Sequence, residues 1–167
     1  MEDDVDRIVA DWARERPDLD VGPMHILSRV TRLSRLLDRA RQEAFGDGGI
    51  VGWEFDVLAA LRRAGSPYQL SPKHLLAETL VTSGTMTTRV DRLVERGLVV
   101  RRPDPADGRS VLVRLTEEGR KTVDRTLAML LQREADMVSS LSTEDQGRLA
   151  GDLRQLLLGF GPRRLGH

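Results

Sequence analysis

Between residues 71 and 115 the spacing of apolar side chains changes period, and this constrains the fold more than any other feature of the chain. The segment reads SPKHLLAETLVTSGTMTTRVDRLVERGLVVRRPDPADGRSVLVRL. Ser71 can cap a first short helix, and Pro72 suits the first helical position, where a missing N–H has no partner to lose. Thr82, Ser83 and Gly84 supply a turn. A second helix then runs to about Arg96 and stops at Gly97, the residue type that enters the left-handed C′ conformation most easily. Within it Met86, Val90, Leu93 and Val94 recur at i, i+4, i+7 and i+8, a stripe that needs a core. Beyond Gly97 the pattern alternates, with Val99 against Arg101, then Val111, Val113 and Leu115 against Leu112 and Arg114. That is the period of two antiparallel strands. The intervening PDPADGR is expected to continue neither strand and to form a protruding tip.

Two helices across a turn, followed by a ribbon, form the arrangement with which a protein reads duplex DNA, the second helix entering the major groove. The side of that helix opposite the stripe carries Gly84, Thr87, Thr88, Asp91 and Arg92. Small hydroxyl residues let a helix backbone lie close to base edges, and Arg92 can reach guanine or phosphate. Ser83, Thr85 and Lys73 complete the expected DNA-facing set. At the ribbon tip Arg109 suits the narrow minor groove and its negative potential. A solvated helix surface would carry the same threonines, and an Arg109–Asp107 pair is the alternative at the tip.

Residues 51 to 122, and most specifically LVTSGTMTTRVDRLVERGLVVRRPDPADGRS with the following VRLTEEG, resemble the MarR (multiple antibiotic resistance regulator) family of winged-helix transcription factors. The resemblance implies a homodimer that reads pseudo-palindromic operators and represses until a small molecule binds. One position departs from the family: a second wing-tip Arg is usual, and here Gly108 stands in its place. WARERPDLD, GWEFDVL and TTRVDRL are further similar to the branch that responds to urate and phenolic ligands. That likeness implies an effector pocket made by Trp12, Asp56 and Arg89. By helical geometry Arg89 falls between the buried stripe and the DNA face, where a cation could bind an anion and shift the helix. Read without the resemblance, Trp12 completes an apolar stripe, Asp56 is a surface charge and Arg89 holds a phosphate.

A chain of 167 residues with 40% apolar side chains can bury one core with helical extensions. There is no cysteine, which excludes disulfides and thiol-based sensing. No secretory segment or membrane span is evident, so a cytoplasmic protein is expected. Formal net charge is zero, yet residues 86–125 carry a net +3 and residues 1–20 a net −5. Positive potential is therefore local, and groove fit must matter more than a broad basic surface. His25, His74 and His167 are scattered without metal-ligand spacing, and neither a nucleophile elbow nor a phosphate-cradling loop occurs. The expectation is a non-enzyme without metal or cofactor.

Flanking segments read as helices. Val5, Ile8, Val9 and Trp12 keep helical spacing, as do Ile26, Val30, Leu33, Leu37 and Ala40 up to about Phe45. Residues 51–64 form another candidate helix. Thr116 can cap a long helix carrying Val123, Leu127, Leu130, Leu131 and Val138, and Ser142 with Asp145 opens a last one carrying Leu149, Leu153, Leu156, Leu157 and Phe160. Such stripes outlast what the winged unit can cover, so a second subunit is expected, an intramolecular bundle being the alternative. The expected fold is mainly α with a small β-wing: a helical extension and dimerisation helix over 1–48, a winged helix-turn-helix over 49–116, and dimerisation helices over 117–167. A helical dimerisation module that uses the winged fold to bind a protein partner is the competing reading.

Overall fold

The computed structural model describes residues 2–79, 82–105 and 107–160, and of residues 107–109 the backbone only. The chain forms two compact units, Met1–Arg41 and Gln42–His167.

The first unit holds α1 (Asp4–Glu15) and most of α2 (Met24–Asp47). Asp3 caps α1, accepting from the N–H groups of Val5 at 2.8 Å and Asp6 at 3.1 Å, while Asp6 accepts in return from the Asp3 N–H at 3.0 Å. This reciprocal box satisfies donors that a helix start leaves without partners. Arg29 of α2 pairs with both Asp3 and Asp6, and Arg32 with Asp4. The Arg29 guanidinium is the main cause holding the Asp3 carboxyl below its ordinary range; for Asp6 it is the Asp3 N–H, followed by Arg29. Val5 and Val9 are buried, and Trp12 is 50% exposed.

In the second unit α3 (Gly52–Arg63), β1 (Gln69–Leu70), α4 (Pro72–Thr79), α5 (Ser83–Glu95), β2 (Val99–Asp104), β3 (Asp107–Leu115), α6 (Glu117–Val138) and α7 (Thr143–Phe160) follow in order. The strands make one antiparallel sheet in the order β1-β3-β2. Its core gathers Leu58 and Leu61 of α3, Leu75 of α4, Leu93 of α5, Val113 of β3 and Val123 of α6. Phe45 and Phe55, both part of this core, stack at 4.8 Å. Thr116 caps α6 through its hydroxyl, which accepts from the Gly119 N–H at 2.9 Å, with Glu117 and Glu118 in the first turn where negative charge is favoured. Arg62 of α3 and Asp124 of α6 join at 2.8 Å.

Two features differ from the sequence reading. A third strand, β1, pairs Gln69 with Arg114 and Leu70 with Val113; two residues are too few to show any period. The ribbon also runs further into PDPADGR than expected, since Pro103 pairs opposite Val111 and Asp104 opposite Asp107. Proline is tolerated here because β2 is an edge strand, and an irregularity at Pro103/Asp104 absorbs the change of register. No residue of α7 is buried, and Leu149, Leu153, Leu156, Leu157 and Phe160 are all exposed. Among the described residues no helix is long and apolar enough to cross a membrane.

Candidate nucleic-acid interface

Helix α4 starts as its sequence dictates, with Ser71 accepting from the His74 N–H at 3.3 Å and Pro72 in the first position. Helix α5 ends in a Schellman closure. Gly97 adopts φ 68°, the Leu98 N–H donates to the Leu93 carbonyl at 2.9 Å, and the Gly97 N–H donates to the Val94 carbonyl at 2.9 Å. Between these ends one face of α5 is fixed by burial: Met86 and Val90 are 2% exposed and Leu93 is 0% exposed. Fully burying side chains of this size contributes about 1.5–3 kcal/mol each, so the orientation of the helix is strongly determined.

Burial of that face turns Ser83, Gly84, Thr85, Thr87, Thr88 and Arg92 outward, and all are exposed. Thr87 and Thr88 donate their hydroxyl protons to the carbonyls of Ser83 and Gly84, each at 3.2 Å. Their oxygen lone pairs stay available to an outside donor. The Thr82 and Thr85 hydroxyls meet at 2.9 Å. Arg92 and Lys73 are exposed and have no ion-pair partner among the described residues. Asp91, which helical geometry also puts on this side, bonds Arg101 of β2 at 2.7 Å and so ties α5 to the ribbon. Arg109 lies in β3, but its side chain, with that of Asp107, is outside the described residues.

Arg89 is half-buried, with its guanidinium carbon 5.5 Å from the centre of the Trp53 ring. Trp53, Gly84, Thr85, Thr88, Arg89 and Arg92 line a shallow depression of about 300 Å³. Asp56 is exposed on α3 and is not among these lining residues, and Trp12 is a half-exposed residue of α1 in the other unit. Sequence spacing gave no sign of Trp53, because it comes from α3, more than 30 positions upstream of the face it borders. Glu54 was also missed. It is 3% exposed and bonds Arg96 at the end of α5.

Short α4, then α5 with one buried and one polar face, followed by a ribbon bonded to it, have the form of a winged helix-turn-helix, and a sequence profile of the MarR family matches residues 49–110. Over 87% of this chain and 88% of its own length, the HTH-type transcriptional regulator PecS of Dickeya dadantii is 39% identical. The chain belongs to the MarR family. Family members with solved structures share the architecture. A mutant MarR from E. coli complexed with operator DNA superimposes with a TM-score of 0.66 at 27% identity, covering 83% of this chain and 99% of that one. Bordetella bronchiseptica BpsR, whose DNA binding is regulated by 6-hydroxynicotinic acid, gives a TM-score of 0.64 at 26% identity over 78% of this chain and 91% of its own. The MarR family is one of winged-helix transcriptional regulators, and its relatives here are regulators rather than enzymes.

Proposed function

We propose that this chain acts as a homodimeric, operator-specific repressor that a small anionic or phenolic ligand releases from DNA. The observation that carries the DNA reading is the outward face of α5, where small and hydroxyl residues end in Arg92, exposed and without an ion-pair partner among the described residues, on a helix locked by its buried side. Thr87, Thr88 and Arg92 meet base edges, Ser83, Gly84 and Thr85 bring the helix start close to the duplex, and Lys73 meets phosphate. Arg109 serves the minor groove from the wing. The exposed leucines of α7 and of α6, Leu127 and Leu131, support a second copy as the cover for these helices, because apolar stripes left exposed along a helix seek a partner. Two-fold symmetry then places two recognition helices on two half-sites.

Effector recognition is assigned to Trp12, Asp56 and Arg89 on the strength of the branch resemblance, with urate or a phenolic acid as ligand. The position of Arg89 supports it, since a cation between core and DNA face gives an anion purchase on the helix that must move. Titrating the protein–operator complex with urate and simple phenolic acids is expected to release DNA. If none of them lowers operator occupancy, the effector assignment fails and the DNA reading stands alone.

The wing tie gives a second expectation. Asp91→Ala should leave stability within about 1 kcal/mol, because the pair is solvent-exposed. Operator affinity should fall by about 0.5–2 kcal/mol as the wing loses its set angle. Binding to random-sequence DNA should not weaken, since an acid has left a surface that faces phosphate. An unchanged ratio of operator to random-sequence affinity would show that the tie has no part in reading.

A further inference from the structure

The end of the recognition helix is bound to a turn that α6 also grips. Arg96, the C-cap of α5, donates through Nη1 to Glu54 Oε2 and through Nη2 to the Gly49 carbonyl at 2.7 Å. Glu54 Oε2 also accepts from the Val51 N–H at 3.0 Å. A single guanidinium and a single buried carboxylate therefore close the Gly49–Val51 turn onto α5. From α6, Arg125 donates to the Gly48 carbonyl at 3.3 Å, and Arg133 pairs with Asp47 at 2.5 Å. Thr126 presses on Gly48 so closely that a Cβ there would sit 2.2 Å from its hydroxyl oxygen.

We propose that residues 47–51 are the link through which α6 sets the angle of the recognition helix, with Arg96 and Glu54 as positioning residues for DNA reading that do not themselves touch DNA. This rests on the reading that α5 enters the groove. Arg96 is not needed to finish α5, because Gly97 already closes it. Its side chain is 43% exposed, so its own burial adds little to the core. What it adds is a fork that spans two acceptors on another segment at once, which only a planar guanidinium in fixed register can do. Helix α5 is about 20 Å long, so a small shift at its Arg96 end re-aims the whole reading face. Helix α6 carries exposed Leu127 and Leu131, and in a dimer any change of its packing would reach the half-site separation through this link.

The test compares wild-type protein with Glu54→Gln/Arg96→Met and with Arg96→Lys, using the operator selected by the wild type. The double variant leaves no buried carboxylate without its cation, and the introduced amide oxygen can keep the bond from the Val51 N–H, so folding is retained. Thermal midpoint, affinity for random-sequence DNA, and affinity for operators whose half-sites are moved about one base pair apart or together are measured. Wild type should prefer its own spacing by about tenfold, and the double variant should lose most of that preference with random-sequence affinity and thermal midpoint close to wild type. Arg96→Lys, which keeps charge toward Glu54, should recover part of the preference. A double variant with the wild-type spacing preference overturns the link. So does a preference lost only in step with thermal midpoint and random-sequence affinity, since that marks a general structural role. A wild-type protein that selects no operator removes the DNA reading, and the link with it.

Discussion

Arg92→Ala is expected to weaken operator binding by about 1–3 kcal/mol, roughly fivefold to 150-fold, while the fold is unaffected. The arginine is exposed, has no ion-pair partner among the described residues and projects from a helix that Met86, Val90 and Leu93 hold in place, so its removal disturbs no packing. Exposed changes of this kind shift stability by about 0.5 kcal/mol or less. The salt dependence of binding separates two roles for the side chain. If Arg92 meets a phosphate, the variant loses about one unit of the log–log salt slope and binds all sequences more weakly. If it reads a guanine edge, the slope is kept and one operator position becomes permissive. Fluorescence anisotropy with labelled operator and random duplex at several salt concentrations measures both, and unchanged operator affinity would exclude Arg92 from the interface.

Gly119→Ala is expected to be among the most damaging single changes in the chain. A Cβ on Gly119 would lie 1.9 Å from the Leu98 carbonyl oxygen and 2.9 Å from its carbon. That carbonyl cannot move aside, because it accepts from the Thr116 N–H at 3.1 Å where the sheet hands over to α6. The start of α6 must therefore lift from the sheet, with a cost of about 3 kcal/mol or more. At about 2–4 °C per kcal/mol for a chain of this size, the thermal midpoint should drop by roughly 6–12 °C. Gly84 is the internal contrast, since nothing lies within 4 Å of a Cβ built there. Gly84→Ala should fold as well as wild type and act on DNA affinity alone. Thermal unfolding of both variants checks the pair, and equal midpoints would contradict the close approach at Gly119.

The helix ends were legible because their chemistry is local. Asp145 donating its N–H to Ser142, Gly119 to Thr116 and Gly97 closing α5 all depend on residues within a few positions of one another. The buried stripe of α5 was legible for the same reason, since its period lies within one helix: Met86, Val90 and Leu93 are buried and Val94 is half-buried against the core. Long-range polar ties carry no period. Glu54 and Arg96 are separated by 42 positions, and Asp91 meets Arg101 only because the sheet folds back along α5. Trp53 beside Arg89 belongs to the same class. In the first α-helix the apolar spacing matches burial at Val5 and Val9, while Trp12, at the end of the same spacing, remains half exposed. Amphipathic spacing predicts which face turns inward, but it does not say how far along the helix the cover extends.

On the proposed function, α5 reads a groove from a paired scaffold. Selecting bound fragments from genomic DNA and footprinting the best of them tests that claim most directly. Two protected half-sites about 10 base pairs apart, centre to centre, related by a pseudo-dyad and both weakened by Arg92→Ala, are the predicted result. A single unpaired site, or protection that Arg92→Ala leaves unchanged, would contradict it.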